Sequence, residues 1–357
     1  MQTLQTIDVR QPAATTATAA VGFGVVGCGW VARDYGIPAL MSAGQVVHLC
    51  DRSADAAAGV GRAVEAASGR LPSMSGRVAE LLADDAVEAV YVATPNHAHA
   101  EVVVACAEAG KAVLCEKPLA ASVADAEAMV AACEAAGTVL ATAYDQRWHP
   151  AHRAMQRMVA AGELGPITQA RMHYACWLPD GWSPDGAAHD NWRVDAARAG
   201  GGAGIDLAPH GIDLLAMLLG RPWDDLVGRT QRAVQDYATG EGGVDDGAVL
   251  IGSLGGTLAS LHVAYNCPDT LPRRRLELIG TRGRLDAVDT MGQVAGGSVT
   301  FTDAATGTSQ PVAFDDEASP FDAQARWFAG LVRGERSAFP ASRDLLHHRM
   351  LLEALRE

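Results

Sequence analysis

The segment VGFGVVGCGWVA, residues 21–32, joins an apolar run directly to a glycine-rich turn. Residues 21–26 carry no charge, as expected for a strand that is buried on both faces of a parallel sheet. The spacing G-x-G-x-x-A follows, where Gly27 allows a tight turn, Gly29 lets the backbone approach a pyrophosphate, and Ala32 permits close helix–strand packing. The segment therefore predicts a Rossmann domain that binds a dinucleotide at the N-terminus of its first helix.

The same texture continues to residue 145, with short β-branched runs that alternate with Ala-rich stretches. This alternation predicts a parallel, doubly wound sheet, so residues 21–145 are interpreted as the dinucleotide-binding domain. Residues 1–20 are polar and lack the features of a secretory signal, and we expect a disordered tail there. The further strands are expected at 46–50, 89–93, 112–115 and 138–143.

Residues 146–357 have a different pattern, which predicts an α+β domain with a largely antiparallel open sheet. A Gly/Pro/Trp-rich stretch from 176 to 204 is too long for a simple connection. Helices are expected near 148–162, 206–219, 320–334 and 342–355, and strands at 166–174, 246–265, 274–279 and 297–302.

Composition excludes several classes of function. The formal net charge of −14 would repel phosphate backbones, so nucleic-acid binding is not expected. No apolar run approaches the ~20 residues of a membrane span, which predicts a soluble protein. The seven cysteines are odd in number and never spaced as CxxC, which indicates reduced thiols in a cytoplasm rather than disulfides or zinc.

The residue at the end of the second strand bears on the choice of cofactor. Asp51 can accept hydrogen bonds from ribose hydroxyls and repel a 2′-phosphate, which favours NAD. Arg52 follows immediately and could pair with a 2′-phosphate, so NADP stays open. Trp30 and Val31 in the glycine-rich turn are also expected to contact the cofactor.

Further polar groups follow later strands, at the edge where open α/β sheets bind ligands. The strand at 89–93 leads into Thr94, Pro95 and Asn96, and the strand at 112–115 leads into Glu116 and Lys117. We expect these side chains beside the nicotinamide half of the cofactor.

Lys117 is one of only two lysines in the chain, the other being Lys111. A lysine ammonium can lose its proton when it is buried or lies near another cation, whereas arginine stays protonated. Lys117 is therefore a candidate acid–base group. A simple ion pair with Glu116 or with a surface carboxylate is the alternative, and Lys111 is expected to be a solvated charge at a helix end.

The stretch GGGAGIDLAPHGID, residues 200–213, places Asp206 and His210 four residues apart, on one face of a helix. Histidine titrates near neutral pH and can exchange a proton with a substrate hydroxyl, and an aspartate can orient it.

The remaining histidine pairs do not predict a metal site, because no carboxylate or third ligand lies at a suitable spacing. We expect His97 with His99, His149 with His152, and His347 with His348 to be solvated pairs on helices. No metal is predicted.

The chain resembles the Gfo/Idh/MocA family of dehydrogenases over nearly its whole length. The resemblance is carried by GCGWVA (27–32), ATPNHAH (93–99), CEKPLA (115–120), YDQRWHP (144–150), the run at 200–213 and LELIGTRG (276–283). It implies that Lys117 lies beside the nicotinamide and that Asp206 and His210 bind substrate and transfer protons. It also implies a homo-oligomer. The expected cofactor contacts that it adds are His99, Arg147, Trp192 and Arg193. Two of them have alternatives, because Arg147 could form a structural ion pair and Trp192 could pack in a core.

The activity that these features predict is reversible hydride transfer between a nicotinamide dinucleotide and a secondary hydroxyl or keto group of a sugar, cyclitol or related polyol. Two alternatives stay open: a redox-neutral enzyme that retains its NAD, and a non-catalytic NAD- or sugar-binding regulator. Substrate hydroxyls are expected to meet polar and aromatic groups of the Trp-rich stretch, namely Trp177, Trp182, Asp185, His189 and Asp190.

Overall fold

The computed structural model describes residues 20–182, 191–239 and 243–356. The expected tail, apart from Ala20, lies outside these residues. The strands are β1 Val21–Val26, β2 Gly44–Cys50, β3 Ser73–Ser75, β4 Ala89–Val92, β5 Ala112–Glu116, β6 Leu140–Ala143, β7 Ile167–Ala175, β8 Asp225–Gln231, β9 Gly247–Leu254, β10 Thr257–Ala264, β11 Arg274–Gly280, β12 Gly283–Val288, β13 Ser298–Asp303 and β14 Ser309–Pro311.

The helices alternate with the strands in the first half of the chain. They are α1 Ile37–Ala43, α2 Ala54–Ser68, α3 Val78–Leu82, α4 His99–Glu108, α5 Val123–Ala136, α6 Pro150–Ala160, α7 Ala196–Ala199, α8 Ala203–Leu219, α9 Asp236–Thr239, α10 Pro320–Val332 and α11 Ala341–Ala354. Single helical turns cover Ala32–Gly36, Asn96–Ala98, Asp145–Trp148 and Trp192–Val194.

The first sheet has six parallel strands in the order β3-β2-β1-β4-β5-β6. This is the predicted doubly wound sheet, and all six residues of its central strand β1 are buried. The strand order reverses between β1 and β4, and this reversal opens the crevice in which such sheets bind ligands. Of the six strands, the three-residue β3 was not predicted, because it is too short to produce a periodic pattern.

The second sheet has eight strands in the order β14-β13-β12-β11-β7-β10-β9-β8. Every neighbouring pair is antiparallel except β7 and β10, so the expected largely antiparallel sheet is confirmed. The predicted strand at 246–265 is the hairpin of β9 and β10, which turns at Gly255 and Gly256. Strands β8, β12 and β14 were not predicted, because β14 has only three residues and β8 and β12 carry charged residues among their apolar ones.

Helix α8 is the central helix of the second core. With the short α7 before it, the apolar helical stretch at 196–219 is as long as a membrane span, contrary to the expectation that no such stretch exists. However, 89% of its most apolar window is buried inside the protein, against strands β7, β9 and β10. The stretch is therefore interpreted as a core helix.

Helix α10 joins the core of the first sheet rather than that of the second. Phe328 stacks on Phe23 of β1 with ring centroids 6.2 Å apart, and Phe321 stacks on Tyr35 at 5.3 Å. The sequence places this helix in a second domain that begins at residue 146, whereas the chain in fact returns to the first domain near its end.

The histidine pairs of α6 and α11 are buried, so the prediction that they are solvated is wrong. His149, His152, His347 and His348 are each at most 3% exposed, because α6 packs against α8, and α11 packs against α5 and α8. Burial lowers the pKa of His152 to about 3 and that of His347 to about 3.

Arg147 lies at the junction of the two domains with 1% of its side chain exposed. Its guanidinium donates to both carboxylate oxygens of Asp213 on α8, at 2.7 Å each, and to Asp344 on α11 at 2.6 Å. Arg343 also donates to Asp213, at 2.7 Å. Because a buried charge without a partner is costly, this network fixes α8 and α11 against the end of the first sheet.

We expect Arg147→Met to lower the free energy of unfolding by about 3 kcal/mol, because it removes the guanidinium that pairs with the two buried carboxylates of Asp213 and Asp344. Denaturant unfolding measures the loss. The matched control is Arg349→Met, which removes a surface pair with Glu127 and should cost less than about 1 kcal/mol. Equal losses in the two variants would show that the buried network does not hold the domains together.

Candidate functional site

The glycine-rich turn has the geometry that a dinucleotide requires. Gly27 adopts a φ of +95°, and a Cβ there would lie 2.5 Å from the carbonyl oxygen of Ala93, so only glycine fits. A Cβ on Gly29, in contrast, would meet no heavy atom within 4 Å. Gly29 therefore faces open space just before the helical turn Ala32–Gly36, which leads into α1. A phosphate group can approach the backbone there.

Asp51 ties the end of β2 to this turn. One of its carboxylate oxygens accepts from the backbone N–H of Cys28 at 2.7 Å, and the other accepts from that of Ser53 at 2.8 Å. A carboxylate has further lone pairs, so ribose hydroxyls could still bind to it. In the structure, the Asp51 carboxylate therefore also stabilises the turn.

A cleft of about 720 Å³ runs from the glycine-rich turn to the second domain. This volume is typical of a small-molecule or cofactor site. Most of the predicted site residues line it: Gly27, Gly29, Trp30, Val31, Asp51, Arg52, Thr94, Pro95, Asn96, Glu116, Lys117, Trp192, Arg193 and Asp206. His99, Arg147 and His210 are not among its lining residues.

His99 was predicted both as a cofactor contact and as one of a solvated pair with His97. The prediction that it is solvated is wrong, and His99 does not line the cleft. Its ring is fully buried, and its nitrogens lie 3.0 Å from the carbonyl oxygen of Thr94 and 3.1 Å from that of Pro118. His99 therefore joins the two loops that follow β4 and β5. His97 is exposed and lines the cleft.

Arg147 does not line the cleft either, and its guanidinium pairs with the buried carboxylates of Asp213 and Asp344. The ion-pair alternative is the one that the structure shows. Sequence spacing could not decide between the two, since both partners come from distant helices.

Lys117 meets Asp206 across the domain boundary. The lysine Nζ donates to the Asp206 carboxylate at 2.6 Å and to its backbone carbonyl at 3.0 Å. The Tyr265 hydroxyl donates to the other carboxylate oxygen of Asp206 at 2.6 Å. Burial would raise the pKa of Asp206, but the charge of Lys117 and then that of Arg193 hold this pKa below its usual range. Asp206 is thus a fixed anion beside the lysine.

Glu116 lies next to this pair at the end of β5. Its carboxylate accepts from the Tyr91 hydroxyl at 2.6 Å and from the backbone N–H of Lys117 at 3.3 Å. Burial raises its pKa. Glu116 therefore faces the cleft while its own orientation is fixed from the sheet.

His210 lies one helical turn beyond Asp206 on α8 and is 6% exposed. Burial, and then the nearby Lys117, lower its pKa to about 3, so the ring is neutral at pH 7. Its Nδ1 lies 3.5 Å from the carboxylate of Asp145, at the end of the first sheet. Burial and then Glu116 raise the pKa of Asp145 to about 7.

Aromatic rings cover the mouth of the cleft. Trp182 contacts Trp30 edge to face, with centroids 5.7 Å apart, and the Arg193 guanidinium lies over Trp192 at 4.7 Å. Of the residues suggested for substrate contacts, Trp182 lines the cleft, whereas Trp177 pairs with Asn266 away from it. Asp185, His189 and Asp190 lie outside the described residues.

Two polar groups suit a bound ligand or a fixed loop. The Thr94 hydroxyl is buried and has no hydrogen-bond partner among the described residues, so a ligand in the cleft could supply one. The side-chain amide of Asn96 donates to the carbonyl of Ala199 at 2.8 Å, which fixes the loop after β4 against the second domain.

Sequence reasoning missed Tyr91, Asp145, Asp245 and Tyr265 as parts of the site. The Asp245 carboxylate accepts from the backbone N–H groups of Gly202 and Gly204, at 2.8 and 2.7 Å, and so fixes the start of the helix that carries Asp206. For Asp145 a signal was present, since it lies in the YDQRWHP block at the end of the sheet. Tyr91 lies in β4, Asp245 just before β9 and Tyr265 just after β10, and none of the three had a local signal.

No three His, Cys, Asp or Glu side chains converge as metal ligands within residues 20–182, 191–239 and 243–356. The seven cysteines all lie in this part of the chain and are unpaired.

Gly29→Val tests whether the turn binds a dinucleotide. A Cβ at this position meets no heavy atom within 4 Å, so we expect an unchanged thermal midpoint but a loss of NADH affinity of at least about tenfold, equivalent to about 1.4 kcal/mol. NADH fluorescence titration measures the affinity. The control is Gly59→Val, an exposed and equally open position on α2 outside the cleft, where affinity should not change. Equal affinity in both variants would contradict a pyrophosphate site at Gly29.

A parallel sheet with this turn, together with a lysine–aspartate pair at its carboxyl edge, defines a dinucleotide-dependent oxidoreductase. The chain belongs to the Gfo/Idh/MocA family of oxidoreductases. The model of the family's NAD-binding Rossmann fold matches residues 21–144, and the model of its C-terminal domain matches residues 152–286.

Named relatives cover much of the chain. It is 32% identical over 322 residues to 1,5-anhydro-D-fructose reductase of Ensifer adhaerens, covering 87% of this chain and 88% of that protein. It is 35% identical over 219 residues to D-xylose 1-dehydrogenase (NADP(+)) 2 of Haloferax volcanii, covering 61% of each. The solved oxidoreductase domain protein from Kribbella flavida superposes with a TM-score of 0.78 at 26% identity, covering 94% of this chain and 96% of that one. The protein is thus an NAD(P)-dependent oxidoreductase.

Proposed function

We propose that this enzyme transfers a hydride between a nicotinamide dinucleotide and a secondary hydroxyl or keto group of a sugar, cyclitol or related polyol. The observation that carries the proposal is the 2.6 Å contact between Lys117 and Asp206 in the wall of the cofactor cleft. The relatives named above, a reductase of an anhydrosugar and a dehydrogenase of a pentose, support the same class of substrate.

The residues of the cleft fit a dinucleotide. Gly29 leaves space against the backbone for the phosphates, and Asp51 and Arg52 lie where the ribose of an adenosine would bind. Thr94 also lines the cleft, and its hydroxyl has no hydrogen-bond partner among the described residues. When bound, the nicotinamide supplies the hydride acceptor or donor for the carbinol carbon. Asp51 favours NAD, whereas Arg52 leaves NADP as a second cofactor.

Lys117 and His210 are the groups proposed to handle the hydroxyl proton. Lys117 holds three donor hydrogens, and the contacts to Asp206 leave at least one for a substrate oxygen. Asp206 keeps the ammonium in position and is itself held by Tyr265. A neutral His210 provides a second proton acceptor one helical turn away.

Substrate recognition is proposed for the aromatic mouth of the cleft. The faces of Trp182 and Trp192 suit the C–H groups of a sugar ring, and Arg193 can donate to hydroxyls. Because these residues belong to the long connection between β7 and α8, this segment selects the substrate while the sheet edge carries the chemistry.

The first test follows nicotinamide absorbance with NAD and NADP against a panel of sugars, cyclitols and deoxysugars. We expect a substrate-dependent signal that Lys117→Ala and Lys117→Arg each reduce by at least about 100-fold, because an arginine cannot exchange a proton. Lys111→Arg is the matched control, since it changes the only other lysine of the chain. That lysine donates to the carbonyl of Val87 at 2.6 Å rather than being a freely solvated charge.

A full signal in Lys117→Arg would remove the lysine from the proton transfer. Tight NAD binding without net redox on any substrate would instead favour a redox-neutral enzyme or a regulator.

We also propose that the enzyme is a cytoplasmic homo-oligomer that associates through the open face of the second sheet. Val227, Val249, Ile251 and Leu258 are between 42% and 68% exposed on strands β8, β9 and β10. A cluster of exposed apolar side chains of this kind is typical of an interface. We expect Ile251→Glu to lower the molar mass measured by light scattering, with the exposed Val294→Glu, outside these strands, as control. An unchanged mass would exclude this face.

A further inference from the structure

Asp145 and His210 form a buried pair behind the lysine–aspartate contact. The Asp145 carboxylate Oδ1 lies 3.5 Å from His210 Nδ1, and the two residues are 4% and 6% exposed. The Nδ1 atom is buried and has no hydrogen-bond partner within the described part of the chain. This carboxylate is therefore the acceptor that it faces.

The orientation of Asp145 is determined by the next residue in the sequence. The Gln146 side-chain N–H₂ donates to Asp145 Oδ2 at 2.7 Å and to the backbone carbonyl of Gly292 at 2.8 Å. A carbonyl oxygen can only accept, so the amide nitrogen must point toward both groups. Consequently Oδ2 is occupied by Gln146, and Oδ1 is left for the histidine.

We propose that Asp145 is a positioning residue that accepts the Nδ1 proton of His210 and thereby leaves Nε2 free to take the substrate hydroxyl proton. In this step the O–H bond of the substrate breaks, its proton binds Nε2, and the Asp145 carboxylate stabilises the resulting imidazolium. The O–H electron pair stays on oxygen and forms the C=O bond as the hydride of the carbinol carbon leaves for the nicotinamide that the proposed function requires. The inference rests on the proposed function, because it assumes that His210 exchanges this proton.

The surrounding charges determine when the pair can work. Besides Asp145, the ionisable groups near His210 include Lys117, Asp206, Asp213, His152 and Tyr174. Those near Asp145 include Glu116, Lys117, Tyr91 and Tyr174. Burial and then Glu116 raise the pKa of Asp145 to about 7. Below that pH the carboxyl is protonated and no longer accepts from Nδ1. Alcohol oxidation should therefore rise with pH through about 7.

Asp145→Asn changes this geometry in a definite way. The Gln146 N–H₂ group forces the new amide oxygen into the position of Oδ2, so the asparagine N–H₂ must point at His210 Nδ1. The ring then carries its proton on Nε2 and cannot accept another there. We expect kcat for oxidation to fall about 100-fold with KM changed less than about threefold, and the rise of activity through pH 7 to disappear.

The readout that does not need activity is the ¹⁵N NMR spectrum of the full chain at about pH 8.5, above the pKa of Asp145. His210 signals are assigned by their loss in His210→Gln. In the wild type we expect a protonated Nδ1 and a bare Nε2, and in Asp145→Asn the reverse.

The matched control is Asp84→Asn. Asp84 also pairs with a buried histidine, since its carboxylate lies 2.9 Å from His48 Nδ1, but this pair lies at the edge of the first sheet outside the cleft. We expect wild-type kcat and pH dependence in this variant.

The outcomes separate the two proposals. If the NMR spectrum of the wild type shows the His210 proton on Nε2, the inference is overturned. This result does not depend on the activity or on whether Asp145→Asn folds. Unchanged kcat and pH dependence in a folded Asp145→Asn also overturn it, while wild-type oxidation would still support the proposed function. If the wild type oxidises no substrate, the proposed function fails, and the NMR result alone tests the pairing.

Discussion

The buried ion-pair network around Arg147 is the constraint on which the arrangement of the two domains depends. Its guanidinium joins the end of the first sheet to Asp213 on α8 and Asp344 on α11, with each side chain at most 3% exposed. Charges buried this deeply are tolerated only when their partners lie in one fixed geometry. Helix α8 therefore has one position against the sheet edge, and in that position Asp206 reaches Lys117.

The ionisable groups at the domain boundary have different pKa values because their surroundings differ. Asp206 stays an anion because Lys117 and Arg193 offset its burial, whereas burial raises the pKa of Asp145 to about 7 and also that of Glu116. His210 is kept neutral by burial and by Lys117. A site that holds a fixed anion, a neutral base and a carboxyl that titrates near neutral pH is suited to exchange protons with a hydroxyl group.

The role of a histidine in this protein depends on whether its side chain is buried. His99, His149 and His152 were expected on solvated surfaces, yet each is fully buried. His99 joins two loops of the cleft through backbone carbonyls, and His152 lies between the carbonyl of Gln146 and the Thr290 hydroxyl. These rings support the backbone around Asp145 and Lys117 rather than facing water, and nothing in their spacing along the chain indicated this.

The sequence by itself determined five of the six strands of the first sheet, the glycine-rich turn and the approximate bounds of most longer helices, and it identified Lys117, Asp206 and His210 as candidate site residues. Apolar runs, turn residues and helical spacing are local patterns, so they can be read without a structure. Only the tertiary structure decided that α10 returns to the first core, that Arg147 is an ion-pair partner rather than a cofactor contact, and that Asp145 faces His210. Each of these three features depends on a contact between residues that are 65 to 305 positions apart in the chain, such as Phe23 with Phe328. Such contacts are decided by packing and by the cost of burying an unpaired charge.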